Sequence, residues 1–266
     1  MNNLIIGQKP IGIFDSGAGG LTIARAVKSL FPNQPIIYFG DSLHLPYGDK
    51  SEKVLSKLTS DVMTFFESQN VGLVLVACNS ASSVLELVQD KMSFTFPIVD
   101  VISPVISLFK QSRKTNPKVL LVGTRKTIRS NIYQKKLPND IQLHAVEAPL
   151  LAPLVEDGLA QTDISNAIVK HYVKPHSKNI YDYCILGCTH YPLLVRDFES
   201  ALGKSCEVLD IPKLVAAYLK QRLDTAQNAN KEYITDRYYC TDITEFLIKQ
   251  SQVFFGQEIK LELVSL

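Results

Sequence analysis

The chain has 266 residues, enough for one large or two ordinary α/β domains, with 28 basic residues against 26 acidic ones for a net charge of +2. The charges are spread thinly, which gives no basic face for nucleic acid or an anionic membrane. The apolar run in "MNNLIIGQKPIGIF" is too short for a signal peptide, and no window reaches the length of a membrane span, so a cytoplasmic protein is expected.

In chain order, short aliphatic runs alternate with segments of helical period. "PIGIF" precedes "LTIARAVKSLF", "PIIYFG" precedes a loop and "SEKVLSKLTSDVMTFFES", and "VGLVLVA" precedes "SASSVLELVQDKM". After "FPIVDVISPVISLFKQS" a second series follows: "KVLLVG" with "TIRSNIYQKKL", "IQLHAVEAP" with the segment from Leu151, and "YDYCILG" with "PLLVRDFESAL". This alternation predicts an α/β protein built of βαβ units, with parallel sheets covered on both faces. The last stretch holds "KLVAAYLKQRL", "YITDRYYCTDITEFLIKQ" and a strand-like "IKLELVSL".

Asp15 to Cys78 spans 63 positions and Thr124 to Cys188 spans 64, while Asp15 to Asp41 spans 26 and Thr124 to Pro149 spans 25. Nearly equal pitch in the two series suggests two similar lobes around a shared cleft. We expect residues 1–101 plus 212–266 in a first lobe carrying Asp15 and Cys78, and 102–211 in a second carrying Cys188 and His190.

Ligands of open parallel sheets bind beyond the carboxyl ends of the strands, so the strand tips are the places to look for chemistry. The tips offer Asp15 and Ser16, Asp41 and Ser42, and Cys78 with Asn79 and Ser80. The second series offers Gly123 and Thr124, Ala148 and Pro149, and Cys188 with Thr189 and His190. "DSGAGGLT" fits neither the dinucleotide nor the phosphate-loop pattern, so its amides suit a carboxylate as well as a phosphate. "HLPYGDKS" reads as a turn with backbone amides available to a ligand.

Five cysteines without a secretory signal are expected as free thiols, with Cys184, Cys206 and Cys240 as core residues. Cys78 and Cys188 each end an apolar run before a helical segment, whose N-terminus would favour thiolate. Cys184 points away from Cys188 and no C-x-x-C pair exists, which argues against a metal site. Three readings remain open: a thiol hydrolase using one cysteine with His190 or His44 as base, a small-molecule binding module, and a two-base enzyme. Inverting a stereocentre requires one group to remove a proton and another to return one from the opposite face. Two thiols of ordinary pKa, about 8.5, suit that task, with Asp15 and His190 as neighbours that assist them.

Taken together, "IGIFDSGAGGLT", "YFGDSLHLPYGDKS", "VACNSAS", "VLLVGTRKTIRSNIY", "LAPLVEDG", "ILGCTHYPLL" and "YCTDITEF" resemble the glutamate racemases of the aspartate/glutamate racemase superfamily. The resemblance implies two pseudo-twofold α/β lobes with the site between them, a homodimer, no cofactor, and a role in supplying D-glutamate for peptidoglycan. It implies Cys188 as the base toward L-glutamate and Cys78 as the base toward D-glutamate, assisted by His190 and Asp15, with Glu156 near the second cysteine. Substrate binding would fall to Asp15, Ser16, Pro46, Tyr47, Gly48, Asn79, Ser80, Thr124, Thr127 and Thr189. Ser80 stands where the family commonly has threonine, and Asp100 and Ser103 stand where glycine and glutamate are more frequent. The short N-terminal extension implies that activation by a cell-wall precursor is absent.

Overall fold

The computed structural model describes residues 4–7, 9–174, 180–224 and 235–266. Tyr233 and Ile234, the start of one segment named above, lie outside the described residues. Among the described residues there are twelve strands: β1 (Leu4–Ile5), β2 (Ile11–Asp15), β3 (Ile36–Gly40), β4 (Leu73–Val76), β5 (Ile98–Asp100), β6 (Lys118–Gly123), β7 (Gln142–Glu147), β8 (Tyr183–Gly187), β9 (Glu207–Val208), β10 (Leu223–Asp224), β11 (Arg237–Cys240) and β12 (Leu261–Leu263).

They form a six-stranded sheet in the order β12-β11-β3-β2-β4-β5, a four-stranded sheet in the order β7-β6-β8-β9, and a small β1-β10 pair. Every strand pairing is parallel. The orders β3-β2-β4-β5 and β7-β6-β8-β9 are the same arrangement, so the equal spacings reflect a repeated βα topology. The C-terminal chain returns to the first sheet, where β11 pairs with β3 in register from Arg237 with Ile37 to Cys240 with Gly40.

Continuous apolar strands follow from helices covering both faces. Alternate residues of β2, β3 and β4 serve two cores: Ile11, Ile13, Ile36, Tyr38, Leu73 and Leu75 enter one, and Phe14, Ile37, Phe39, Val74 and Val76 the other. The first of these cores runs on through Val119–Val122 of β6 and Cys184–Leu186 of β8, so the two sheets share one apolar interior. Its helices are amphipathic; Leu21–Leu30, for example, buries Leu21, Ile23, Ala24 and Val27.

Two expected helices are each broken in two. The segment after Cys78 forms Asn79–Ser82 and Leu85–Gln89, and the segment after Thr124 forms Arg125–Arg129 and Ile132–Lys136, with Asn131 left-handed at φ 55° between them. Serines sit at both breaks and satisfy backbone carbonyls themselves: Ser82 donates to Cys78 O, Ser83 to Ser80 O and Ser130 to Thr127 O. Such local bonds compete with continuation of a helix.

At Gly12 a β-carbon would come within 2.8 Å of the fully buried Phe66 ring. Gly12→Ala should therefore destabilise the protein by about 1–3 kcal/mol in urea unfolding. Adding Phe66→Leu should make the alanine less costly than it is in the parent; equal costs in both backgrounds would contradict the packing account.

Candidate active site

The carboxyl ends of β2, β4, β6 and β8 meet where the two sheets abut. Asp15, the last residue of β2, has no exposed surface. Its Oδ2 accepts from the backbone N–H of Gly17 at 3.2 Å and Gly20 at 3.0 Å, while its Oδ1 accepts from Thr189 Oγ1 at 3.2 Å. Thr189 belongs to the loop after β8, so one carboxylate joins both halves. Burial raises the Asp15 pKa against the lowering influence of His190 and these hydrogen bonds. The approach is close enough that a β-carbon at Gly19 would lie 2.6 Å from both His190 Nδ1 and Thr189 Oγ1.

Cys78 follows β4 and is 5% exposed, with its Sγ 3.7 Å from Ser16 Oγ and accepting from Ala81 N–H at 3.5 Å. Burial, followed by the charge of Asp15, pushes its thiol up to about 12. The expectation that the following helix favours thiolate is thus corrected here. That helix has only four residues, and desolvation outweighs its amides. Cys188 lies close enough to contribute to the upward shift of Cys78.

The surroundings of Cys188 are different. Its Sγ lies 3.7 Å from His190 Nδ1, and Glu156 Oε1 lies 2.9 Å from the opposite ring nitrogen, at ion-pair distance though out of line for a hydrogen bond. Burial alone would lower the His190 pKa, but the Cys188 sulfur and the Glu156 carboxylate together hold it well above the ordinary imidazole value. The segment after Cys188 opens with a 3₁₀ turn over Tyr191–Leu194 before the helix Val195–Leu202, so Cys188 has no α-helix starting directly beneath it.

Hydroxyls and amides complete the cluster. Ser80 Oγ and Thr124 Oγ1 are 3.0 Å apart, and Thr124 Oγ1 donates to Thr127 Oγ1 at 3.0 Å. Gly48 lies against Thr124, where a β-carbon would come within 2.8 Å of Thr124 Cβ. Tyr47 is buried and donates to Asp41 Oδ2 at 2.5 Å. Pro46, after a cis peptide bond, is exposed on the flank of this loop and reaches the cluster only through Tyr47 and Gly48.

The candidates from both halves therefore converge, although Asp15 makes no direct hydrogen bond to Cys78; Ser16 is that thiol's direct neighbour. His44 is not placed as a base for either cysteine, because its Nδ1 pairs with Asp41 Oδ1 at 2.8 Å. Cys184, Cys206 and Cys240 are buried free thiols, as expected. Among the described residues no cluster of three or more His, Cys, Asp or Glu is placed to hold a metal ion, and no helix is long and apolar enough to cross a membrane.

Asp41, a strand-tip candidate, is joined by supporting residues that the sequence did not single out. Asp41 also accepts from Thr241 Oγ1 at 2.8 Å, tying the Tyr47 loop to the end of β11. Tyr133 donates to Asn79 Oδ1 at 2.8 Å across the two halves. Phe254 packs edge-on against His190, with ring centroids 5.2 Å apart. Asp41 carried the same strand-end signal as Asp15; Tyr133 and Phe254 carried none, because their partners are distant in sequence.

Two parallel sheets whose strand ends bring two buried cysteines into one polar cluster define an α/β protein with a composite site built from both sheets. Residues 21–219 match the Asp/Glu/Hydantoin racemase family, and the chain belongs to it, as an amino-acid racemase among the isomerases. It is 34% identical over 256 residues to a glutamate racemase of Aquifex aeolicus, covering 96% of this chain and 97% of that one. A glutamate racemase of Hydrogenobaculum is 36% identical, with 96% of each chain covered. The crystal structure of a Francisella tularensis glutamate racemase in complex with D-glutamate superimposes with a TM-score of 0.86 at 30% identity, covering 97% of this chain and 98% of that one.

With its thiol held near 12, Cys78 should react with iodoacetamide at pH 8 at least about a hundredfold more slowly than free cysteine, as followed by peptide mass mapping. Asp15→Asn removes a charge that raises this pKa and should speed the reaction; an unchanged rate would deny the coupling. The raised His190 pKa contributes stability that is fully present below the unfolded value of about 6.5 and is lost as pH rises through the folded value. The stability gap between wild type and His190→Gln should accordingly narrow from pH 6 toward pH 10 in urea titrations.

Proposed function

We propose that the protein racemises glutamate by two-base proton transfer between Cys78 and Cys188, without a cofactor. The observation that carries this reading is the placement of one cysteine after each of two equivalent strands, β4 and β8, in two sheets of the same topology whose strand-end loops are hydrogen-bonded to each other. Glutamate as substrate is supported by the full-length similarity to glutamate racemases and by the D-glutamate held in the Francisella relative.

In the L-to-D direction, the Cys188 thiolate takes the α-proton and becomes a thiol, leaving a planar carbanion. The neutral Cys78 thiol then delivers its own proton to the opposite face and becomes a thiolate. Burial and Asp15 keep Cys78 protonated in the resting protein, which suits it to the second step. His190, buttressed by Phe254 and with its pKa raised by the Cys188 sulfur and then by Glu156, is the proton partner of Cys188. The reverse reaction starts from the opposite protonation pattern. Ser16, Asn79, Ser80, Thr124, Thr127 and Thr189, with the amides around Gly17–Gly20 and Tyr47–Gly48, are the proposed cradle for the two carboxylates; Pro46 shapes the last of these loops.

The proposed lobes are residues 1–101 plus 212–266 and residues 102–211. The protein is further proposed to act as a cytoplasmic homodimer that supplies D-glutamate for peptidoglycan.

Purified protein with fresh reductant and no added cofactor should erase the circular dichroism of L-glutamate, and in D2O the D-glutamate formed should carry deuterium at the α-carbon. Cys78→Ala and Cys188→Ala should each abolish racemisation. Near-normal turnover by either variant would sink the two-base mechanism, and indifference to one of them would favour a single-cysteine enzyme.

A further inference from the structure

We infer that Tyr133 is a positioning residue that sets the orientation of the Asn79 side-chain amide, so that the amide donates its N–H groups to a substrate carboxylate. This rests on the racemase reading of the site. Asn79 directly follows Cys78 on the six-stranded side, whereas Tyr133 stands in the helix Ile132–Lys136 that follows β6 on the four-stranded side. Tyr133 is fully buried and Asn79 is 3% exposed, and the phenol donates to Asn79 Oδ1 at 2.8 Å.

An asparagine amide can present either its oxygen or its nitrogen to a neighbour, and only a partner of defined polarity decides which. The Tyr133 phenol makes no other hydrogen bond among the described residues, so its buried proton needs the amide oxygen. Burial, and secondarily the charge of Asp100, raises the phenol pKa, which keeps it a donor. With Oδ1 held there, Nδ2 turns the other way. Nδ2 donates to no described group, on the residue that directly follows Cys78. A donor left unpaired on the residue after Cys78 is matched to an anionic oxygen. Tyr133 is the second residue of its helix, directly after the left-handed Asn131 and Ile132.

The test is a double-mutant cycle read through steady-state kinetics and calorimetric titration with D-glutamate. Tyr133→Phe should raise KM for glutamate by about tenfold and weaken D-glutamate binding equally, with kcat within about threefold of wild type. In an Asn79→Ala background, Tyr133→Phe should have no further effect on KM, because the amide it orients is gone. An unchanged KM in the single variant, or the same increase in both backgrounds, would overturn the positioning role. Should Tyr133→Phe not fold, Asn79→Asp keeps an acceptor for the phenol while turning a carboxylate oxygen toward the substrate; a folded Asn79→Asp protein with unchanged KM overturns the inference as well. Wild-type protein that neither binds nor racemises glutamate would instead remove the functional reading itself.

Discussion

Asp15 is a carboxylate without solvent, and a buried carboxylate is tolerated only when its oxygens are hydrogen-bonded. Here two backbone amides from the glycine-rich turn satisfy one oxygen and the hydroxyl of Thr189 satisfies the other. The first pair shapes the loop after β2, and the third bond holds the loop after β8, which carries Cys188 and His190. The same charge acts on the Cys78 thiol. One group thereby sets the turn, the approach of the two halves and the protonation of a reactive thiol, and the glycine at position 19 is what lets the loops come so near.

The two thiols occupy equivalent places in a repeated topology but different electrostatic surroundings. Cys78 is flanked by a hydroxyl and an acid, and Cys188 by a histidine whose pKa the Cys188 sulfur, and then Glu156, raise. Environment rather than residue type therefore distinguishes two identical side chains, burial and Asp15 acting on one thiol and a histidine standing beside the other. The asymmetry also involves the C-terminal chain: Phe254 abuts His190, and Thr241 joins the Asp41 cluster that holds Tyr47.

Contacts that cross between the halves dominate the site. Asp15 with Thr189, Ser80 with Thr124, and Asn79 with Tyr133 each pair a residue of one sheet's loops with one from the other's. The shared apolar core fixes the distance between the sheets, and these polar pairs then fix the alignment of the loops above it. Around the same seam, Arg125 pairs with Asp49, Lys126 with Glu52 and Lys136 with Glu86, so the cations lie on one side and the anions on the other.

Local pattern determined much of this protein. Aliphatic runs alternating with helical segments dictate parallel sheets covered on both faces, and equal spacing from Asp15 to Cys78 and from Thr124 to Cys188 announces a repeated unit, because strand and helix periods are local properties of the chain. The small polar residues after each apolar run mark the strand tips for the same reason. Tertiary structure alone decided the rest: that the Cys78 thiol is held protonated, that Ser16 rather than Asp15 touches it, that His44 is taken up by Asp41, and that Tyr133 and Phe254 brace Asn79 and His190. Those outcomes depend on desolvation and on contacts between residues far apart in sequence, which exist only once the two sheets have packed together.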